Sequence, residues 1–303
     1  MDAGPHEAFG RTIDVSHPDR VLFPDVGLTK GELIAYHERI APTMLPHVVG
    51  HPVAMKRYPE GIEDDGFFQK QAPDHFPDWI RRVDVDKREG GTVPHIVVEQ
   101  EATLLELAQF GVIELHPWLS RADDLERPDR IVLDLDPEEG DVDGARTAAR
   151  AVRDVLQEVG LDPRLMTSGS KGYHVVVSIE PAQDFEDVRA FTRDVATVVV
   201  ERHPETTTIE HRKADRRGRV FVDWLRNAFG QTSIVPYGVR ARTGAPVATP
   251  LEWDELGSTE PRDYRVDNLF RRLGQRDDPW ADAEPFRLDD ARERLDELLD
   301  ADG

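Results

Sequence analysis

The stretch IVLDLDP, residues 131–137, reads as a buried strand interrupted by two carboxylates. Side chains alternate between the faces of a strand, so Asp134 and Asp136 project from the same side. Two like charges on an apolar strand repel and lose hydration, a cost that a divalent cation between them offsets. VFVDWLRN, residues 220–227, places Asp223 in a second strand-like run. Three strand-borne aspartates make an oxygen-donor set suited to Mg²⁺ or Mn²⁺. Between the two runs lies TSGSKGYHVVV, residues 167–177. Its Gly169 and Gly172 allow positive φ and close approach of backbone to a ligand. Ser168, Lys171 and His174 add donors, and successive N–H groups of such a turn form an anion-binding nest. A carboxylate cage beside an anion turn points to nucleotidyl transfer.

Each motif also has a plainer reading. An Asp-x-Asp pair at a strand end can cap the next helix, and Pro137 supports that placement. SGSKG can be an ordinary hairpin turn with a surface lysine. Asp223 can be ion-paired to Arg219 or Arg226, and His116 in ELHPW can be a core or turn histidine. Phe67-Phe68 can be core, or can leave one ring free for base stacking beside Gly66. Neither a Walker A loop nor a G-x-G-x-x-G fingerprint is present. Lys87-Arg88-Glu89-Gly90 faintly resembles a ligase nucleophile motif, but it has Glu for Asp and sits in a polar run, so it reads as a decoy.

Outward from these motifs, the pattern predicts an α+β protein. Thr29-Lys30-Gly31-Glu32 opens a capping-box helix over residues 29–47, with Leu33, Ile34, Tyr36, Ile40 and Met44 at helical spacing. Strands are expected at 53–58, 67–71, 95–99 and 112–118, and a short helix at 101–110. From 131 onward strands alternate with helices at about 144–159 and 184–203, which indicates a mixed sheet with packed helices. A last amphipathic helix spans 287–299. The expected organisation is a single domain with an N-terminal α/β module (1–127), a catalytic core (128–260) and an acidic C-terminal segment (261–303).

The net charge is −22, with 38 Lys and Arg against 60 Asp and Glu. Nucleic-acid enzymes usually carry a basic footprint, so this balance argues against one unless the cations are localised. Only six of the cations are lysine; arginine is the better bidentate phosphate ligand. The acid is also uneven: residues 277–303 hold eleven acids and three arginines, whereas RKADRRGR (212–219) is strongly basic. Adaptation to high salt would explain the acid surplus; a GC-rich genome would explain only the lysine deficit. The absence of cysteine excludes disulfides and thiolate metal sites. No apolar run is long enough to span a bilayer, and the N-terminus lacks signal-peptide character, so a cytoplasmic location is expected.

Taken in order, TKGEL, Phe-Phe-Gln-Lys, ELHPW, DLDP, SGSKGYH and VDWLRN resemble the polymerase domain of bacterial multifunctional DNA ligase D, a branch of the archaeo-eukaryotic primase superfamily. The resemblance covers about residues 12–253. It implies a primase-like fold of mixed and antiparallel sheets. It also implies template-dependent addition of nucleotides, preferentially ribonucleotides, at DNA gaps and double-strand breaks in non-homologous end joining. Asp134, Asp136 and Asp223 would be catalytic and hold two Mn²⁺ or Mg²⁺ ions. Ser168, Lys171 and His174 would bind the triphosphate, with His116 near the nucleotide and Gln231 and Arg240 as further pocket residues. Phe67 and Phe68 would pack on the template. Lys30 and Arg20 would hold a downstream 5′-phosphate, Arg20 standing where lysine is common. Ku and a separate DNA ligase are the implied partners. Two other readings of the residues stay open: a DxD glycosyltransferase, which would need neither Asp223 nor a 5′-phosphate site, and a non-catalytic DNA-end bridging module.

Overall fold

The computed structural model describes residues 1–86 and 90–302; Lys87, Arg88 and Glu89 of the ligase-like motif lie outside the described residues. The chain forms two compact units, neither contiguous in sequence. One comprises Met1–Trp118, Ile234–Ala248 and Tyr264–Gln275; the other comprises Leu119–Ser233, Thr249–Asp263 and Arg276–Gly303. Hydrogen bonds tie segments together within each unit. Within the first unit, Val235 N–H donates to the Leu115 carbonyl and Val247 N–H to that of Tyr264. In the second, the hairpin Ser120–Arg121 with Asp124–Pro128 is joined by Asp129 N–H bonding the Leu119 carbonyl.

In the first unit, strand Pro52–Arg57 pairs antiparallel with Phe67–Gln69, Thr92–Val97 and Val112–Pro117, and Arg82–Asp86 flanks Thr92–Val97. The capping box expected at Thr29 and Glu32 is formed. Helix Lys30–Met44 buries Leu33, Ile34, Tyr36, Ile40 and Met44, as their spacing predicts. It stops short of residue 47 because Pro46 has no N–H to continue the ladder, and Leu45–His47 tightens into a 3₁₀ turn. The hairpin of Gly4–Ala8 and Arg11–Val15 was not legible in advance: both strands are short and mostly polar.

The second unit is built on a six-stranded sheet. Its order is Thr207–Thr208, Val220–Asp223, Arg130–Asp136, Tyr173–Ser178, Arg164–Thr167 and Pro250–Leu251. All pairs are antiparallel except the first, which is parallel. Helices Val142–Glu158 and Phe185–Arg202, capped by Asp141 and Asp184, pack on this sheet and on each other. The mixed sheet with packed helices is the α+β architecture expected. In the central strand, Ile131, Leu133 and Leu135 are buried, while Arg130, Asp134 and Asp136 on the other face stay partly accessible.

The central strand needs a partner beyond the point where Val220–Asp223 ends. Asn227, fully buried, supplies it. Its Oδ1 accepts from Val132 N–H at 2.9 Å and its Nδ2 donates to the Val132 carbonyl at 2.7 Å, imitating a paired peptide. Asn227→Ala should leave two buried backbone groups unpaired, at about 1–3 kcal/mol for each. A melting temperature lowered by several degrees is the expected calorimetric result; an unchanged one would show that this bond pair holds nothing.

Candidate active site

Register places the acidic side chains in one lateral row. Asp134 lies opposite Asp223 on one neighbouring strand and opposite His174 on the other. Asp136, two residues along, shares their face. His174 Nε2 is 3.4 Å from Asp134 Oδ1, and its Nδ1 is 3.4 Å from Ser233 Oγ. Arg226 bridges the carboxylate pair, 3.3 Å from both Asp134 Oδ2 and Asp223 Oδ2. Of the two arginines expected beside Asp223, it is Arg226 that makes the ion pair. Asp223 also accepts the Leu225 N–H at 2.9 Å, which fixes the turn after the strand.

Asp136 is held by Arg216, whose Nη1 is 2.7 Å from its Oδ2. Arg216 is itself nearly buried, stacked 4.3 Å over Phe221 and donating to the carbonyls of Glu210 and His211. The reading of the sequence named the basic run 212–219 but did not single out this arginine. A cleft of about 340 Å³ opens here, lined by Asp136, Glu138, Glu139, Lys171, Lys213 and Arg216, among others. Four cations among its lining residues, Arg219 being the fourth, make it suited to a polyanion.

The SGSKG turn borders this cleft through Lys171, whose Nζ is 3.4 Å from Glu139. Gly169 has φ +62°, as the glycine reading expected. Gly172 passes so close to the central strand that an added Cβ would fall 2.0 Å from the Leu135 carbonyl oxygen. Ser168 has a bracing role inside the turn: its Oγ accepts the N–H groups of Ser170 and Gly172, both at 3.2 Å. Gln231 is exposed, and its side chain enters none of these contacts.

His116 and Arg240 belong to the first unit, gathered there by Glu114, a residue the sequence reading passed over. Glu114 is buried, two positions from His116 on the same strand face. Its Oε2 lies 2.9 Å from His116 Nε2; its Oε1 accepts Ala241 N–H at 3.1 Å and sits 3.4 Å from Arg240 Nε and 3.8 Å from Lys56 Nζ. Burial pushes the Glu114 carboxyl up, but the His116 hydrogen bond and the charges of Arg240 and Lys56 outweigh it and bring its pKa down to about 2. Burial, opposed by Glu114, keeps the His116 pKa below its ordinary value. His116 is then neutral and donates from Nε2. The signal available in the sequence was an acid two residues before a histidine in an apolar strand. Phe67 and Phe68 are 46 % and 58 % exposed on their short strand, with the Phe68 ring 5.4 Å from that of His116.

Lys30 is buried rather than a solvated first-turn residue, 8 % exposed, with Nζ 3.4 Å from Ser16 Oγ. Burial and then the nearby Arg20 charge lower its pKa to about 8, against the opposing pull of Glu106. Arg20 donates to the Pro59 carbonyl at 2.6 Å and to Glu60 at 2.7 Å.

Carboxylate oxygens are the donors a divalent cation takes, and Asp134 and Asp223 face each other across adjacent strands. Burial, and next the charge of Asp134, raise the Asp223 carboxyl above its ordinary value, against the opposing charge of Arg226. Among the described residues no three such side chains converge on one point, consistent with Asp136 being drawn to Arg216. Asp134→Asn should therefore move the Asp223 pKa downward, read by carbon NMR of its carboxyl. An unmoved value would mean that the two carboxylates do not repel.

The LigD primase-polymerase domain family matches residues 29–280. The multifunctional non-homologous end joining protein LigD of Mycolicibacterium smegmatis is 35 % identical over 266 residues, which covers 87 % of this chain and 35 % of that protein. The Pseudomonas aeruginosa protein of the same name is 34 % identical over 285 residues, covering 92 % and 34 %. The bifunctional LigD of Bacillus subtilis is 31 % identical over 267 residues, covering 87 % and 43 %. The chain thus spans less than half the length of these relatives. The solved polymerase domain of Mycobacterium tuberculosis ligase D, in complex with DNA, superposes with a TM-score of 0.83 at 32 % identity, covering 90 % of this chain and 99 % of that one. Motif order, strand register and these matches agree: the chain belongs to the LigD primase-polymerase domain family, whose chemistry is polymerase-type nucleotidyl transfer.

Proposed function

We propose that this protein extends primer 3′-OH ends at DNA gaps and double-strand breaks in non-homologous end joining, copying a template and preferring ribonucleotides. The observation that carries the reading is the pairing of Asp134 with Asp223 across two hydrogen-bonded strands, beside a glycine turn that carries Lys171. Two divalent ions, Mn²⁺ or Mg²⁺, held by Asp134, Asp136 and Asp223, would supply activation of the 3′-OH and charge neutralisation at the leaving pyrophosphate. The chain's own groups do the rest. Lys171 orients the triphosphate, Ser168 keeps the turn shaped for it, and His174 stands beside Asp134 as a donor. His116, Arg240 and Gln231 are assigned to further nucleotide contacts. The exposed rings of Phe67 and Phe68 offer stacking surface to template bases. The partners are DNA with a 5′-phosphate, Ku and a DNA ligase activity, and the location is the cytoplasm. Among the described residues no helix is long and apolar enough to cross a membrane.

Primer extension on gapped DNA, with NTPs and dNTPs compared, tests the reading. Asp134→Ala and Asp136→Ala should each abolish extension while leaving DNA binding nearly intact. Extension at the parent rate by either variant would overturn the assignment.

Lys30 and Arg20 are assigned to the 5′-phosphate. Only the ammonium form of Lys30 attracts phosphate, and with a pKa of about 8 that form dominates below pH 8 and is lost above it. The phosphate monoester becomes fully charged above about pH 6. DNA with a 5′-phosphate should thus outbind its 5′-hydroxyl counterpart most strongly between about pH 6 and 8, by about 1.5–3 kcal/mol. The advantage should fade as the pH rises further, and Lys30→Ala should erase most of it. Equal affinity for both ends at pH 7 would rule the site out.

A further inference from the structure

We infer that Glu114 is a positioning residue for nucleotide use: its one carboxylate sets the orientation of His116 and Arg240 together. The inference rests on the proposed contact of those two residues with the nucleotide. Three chain segments of the first unit meet at this group. His116 comes from strand Val112–Pro117, which also carries Glu114. Lys56 comes from the paired strand Pro52–Arg57, directly opposite Glu114 in register. Arg240 and Ala241 come from the segment Ile234–Ala248, tied to the same strand by Val235 N–H bonding the Leu115 carbonyl.

The two oxygens divide the work. Oε2 takes the His116 Nε2 donor at 2.9 Å, which fixes the tautomer and turns Nδ1 away as an acceptor. Oε1 takes Ala241 N–H at 3.1 Å and holds the Arg240 guanidinium at 3.4 Å. A buried carboxylate bound this way leaves its partners few alternative rotamers, because any other arrangement strands a charge away from water. Lys56 and Arg240 together outweigh the single negative charge, so the cluster stays attractive to an anionic ligand. Phe68, packed 5.4 Å from the imidazole, restricts the ring from another side.

Steady-state primer extension by the full chain tests this, with Glu114→Gln, His116→Ala and the double variant compared. Glu114→Gln keeps the shape and removes the charge. It should raise the nucleotide KM about tenfold, the scale of one charge-assisted hydrogen bond, with a smaller change in kcat. The double variant should have a KM above that of His116→Ala but below the product of the two single effects, because Glu114 acts partly through His116 and partly through Arg240. If Glu114→Gln does not fold, Glu114→Asp, which keeps charge but shortens the reach, reads the same split. A raised KM for His116→Ala beside an unchanged KM for a folded Glu114 variant would overturn the inference and leave the function standing. An unchanged KM for His116→Ala would overturn both the nucleotide contact and the inference built on it.

Discussion

Two carboxylates facing each other across adjacent antiparallel strands are the constraint on which the second unit turns. Asp134 and Asp223 are registered partners, half-sheltered from water, and the charge of the first raises the carboxyl of the second. Such a pair is expensive to build into a sheet. The surrounding structure is arranged to tolerate it: Arg226 spans both acids, Asn227 completes the central strand where its neighbour stops, and Gly172 lets the anion turn close against that strand.

The first unit uses the same physics in a different form. A single buried carboxylate, Glu114, is kept ionised by two hydrogen-bond donors, His116 and Ala241 N–H, and by the charges of Arg240 and Lys56. A buried charge held by hydrogen bonds and ion pairs serves geometry more than stability. In both units an acid anchors cationic or donor side chains, so an acidic chain still presents localised positive surface.

That localisation reconciles a net charge of −22 with the anionic substrate proposed for this chain. Lys171, Lys213, Arg216 and Arg219 line one cleft against three acids, Asp136, Glu138 and Glu139, whereas helix Leu288–Asp302 is strongly acidic. Part of that acidity is consumed within the fold, where Arg292 joins Asp296 to Asp194 of helix Phe185–Arg202. The remaining acid would repel a polyanion generally and leave its attraction to localised cations, an effect that salt would soften.

The sequence by itself determined the α+β class, the capped helix at Thr29, the shared face of Asp134 and Asp136, and the turn at Gly169 and Gly172. These rest on short-range periodicity and on glycine's freedom, which neighbouring residues encode. The order of the motifs was equally legible and carried the family. Only the tertiary structure decided that Asp223 lies across from Asp134, that Arg216 grips Asp136, that Ser168 braces its own turn, and that Glu114 collects His116 and Arg240. It also decided that the chain re-enters its first unit after residue 233. Each of those depends on strand register or on contacts between residues roughly eighty or more positions apart, or on which of several polar groups a buried side chain selects, and neither is written in local spacing.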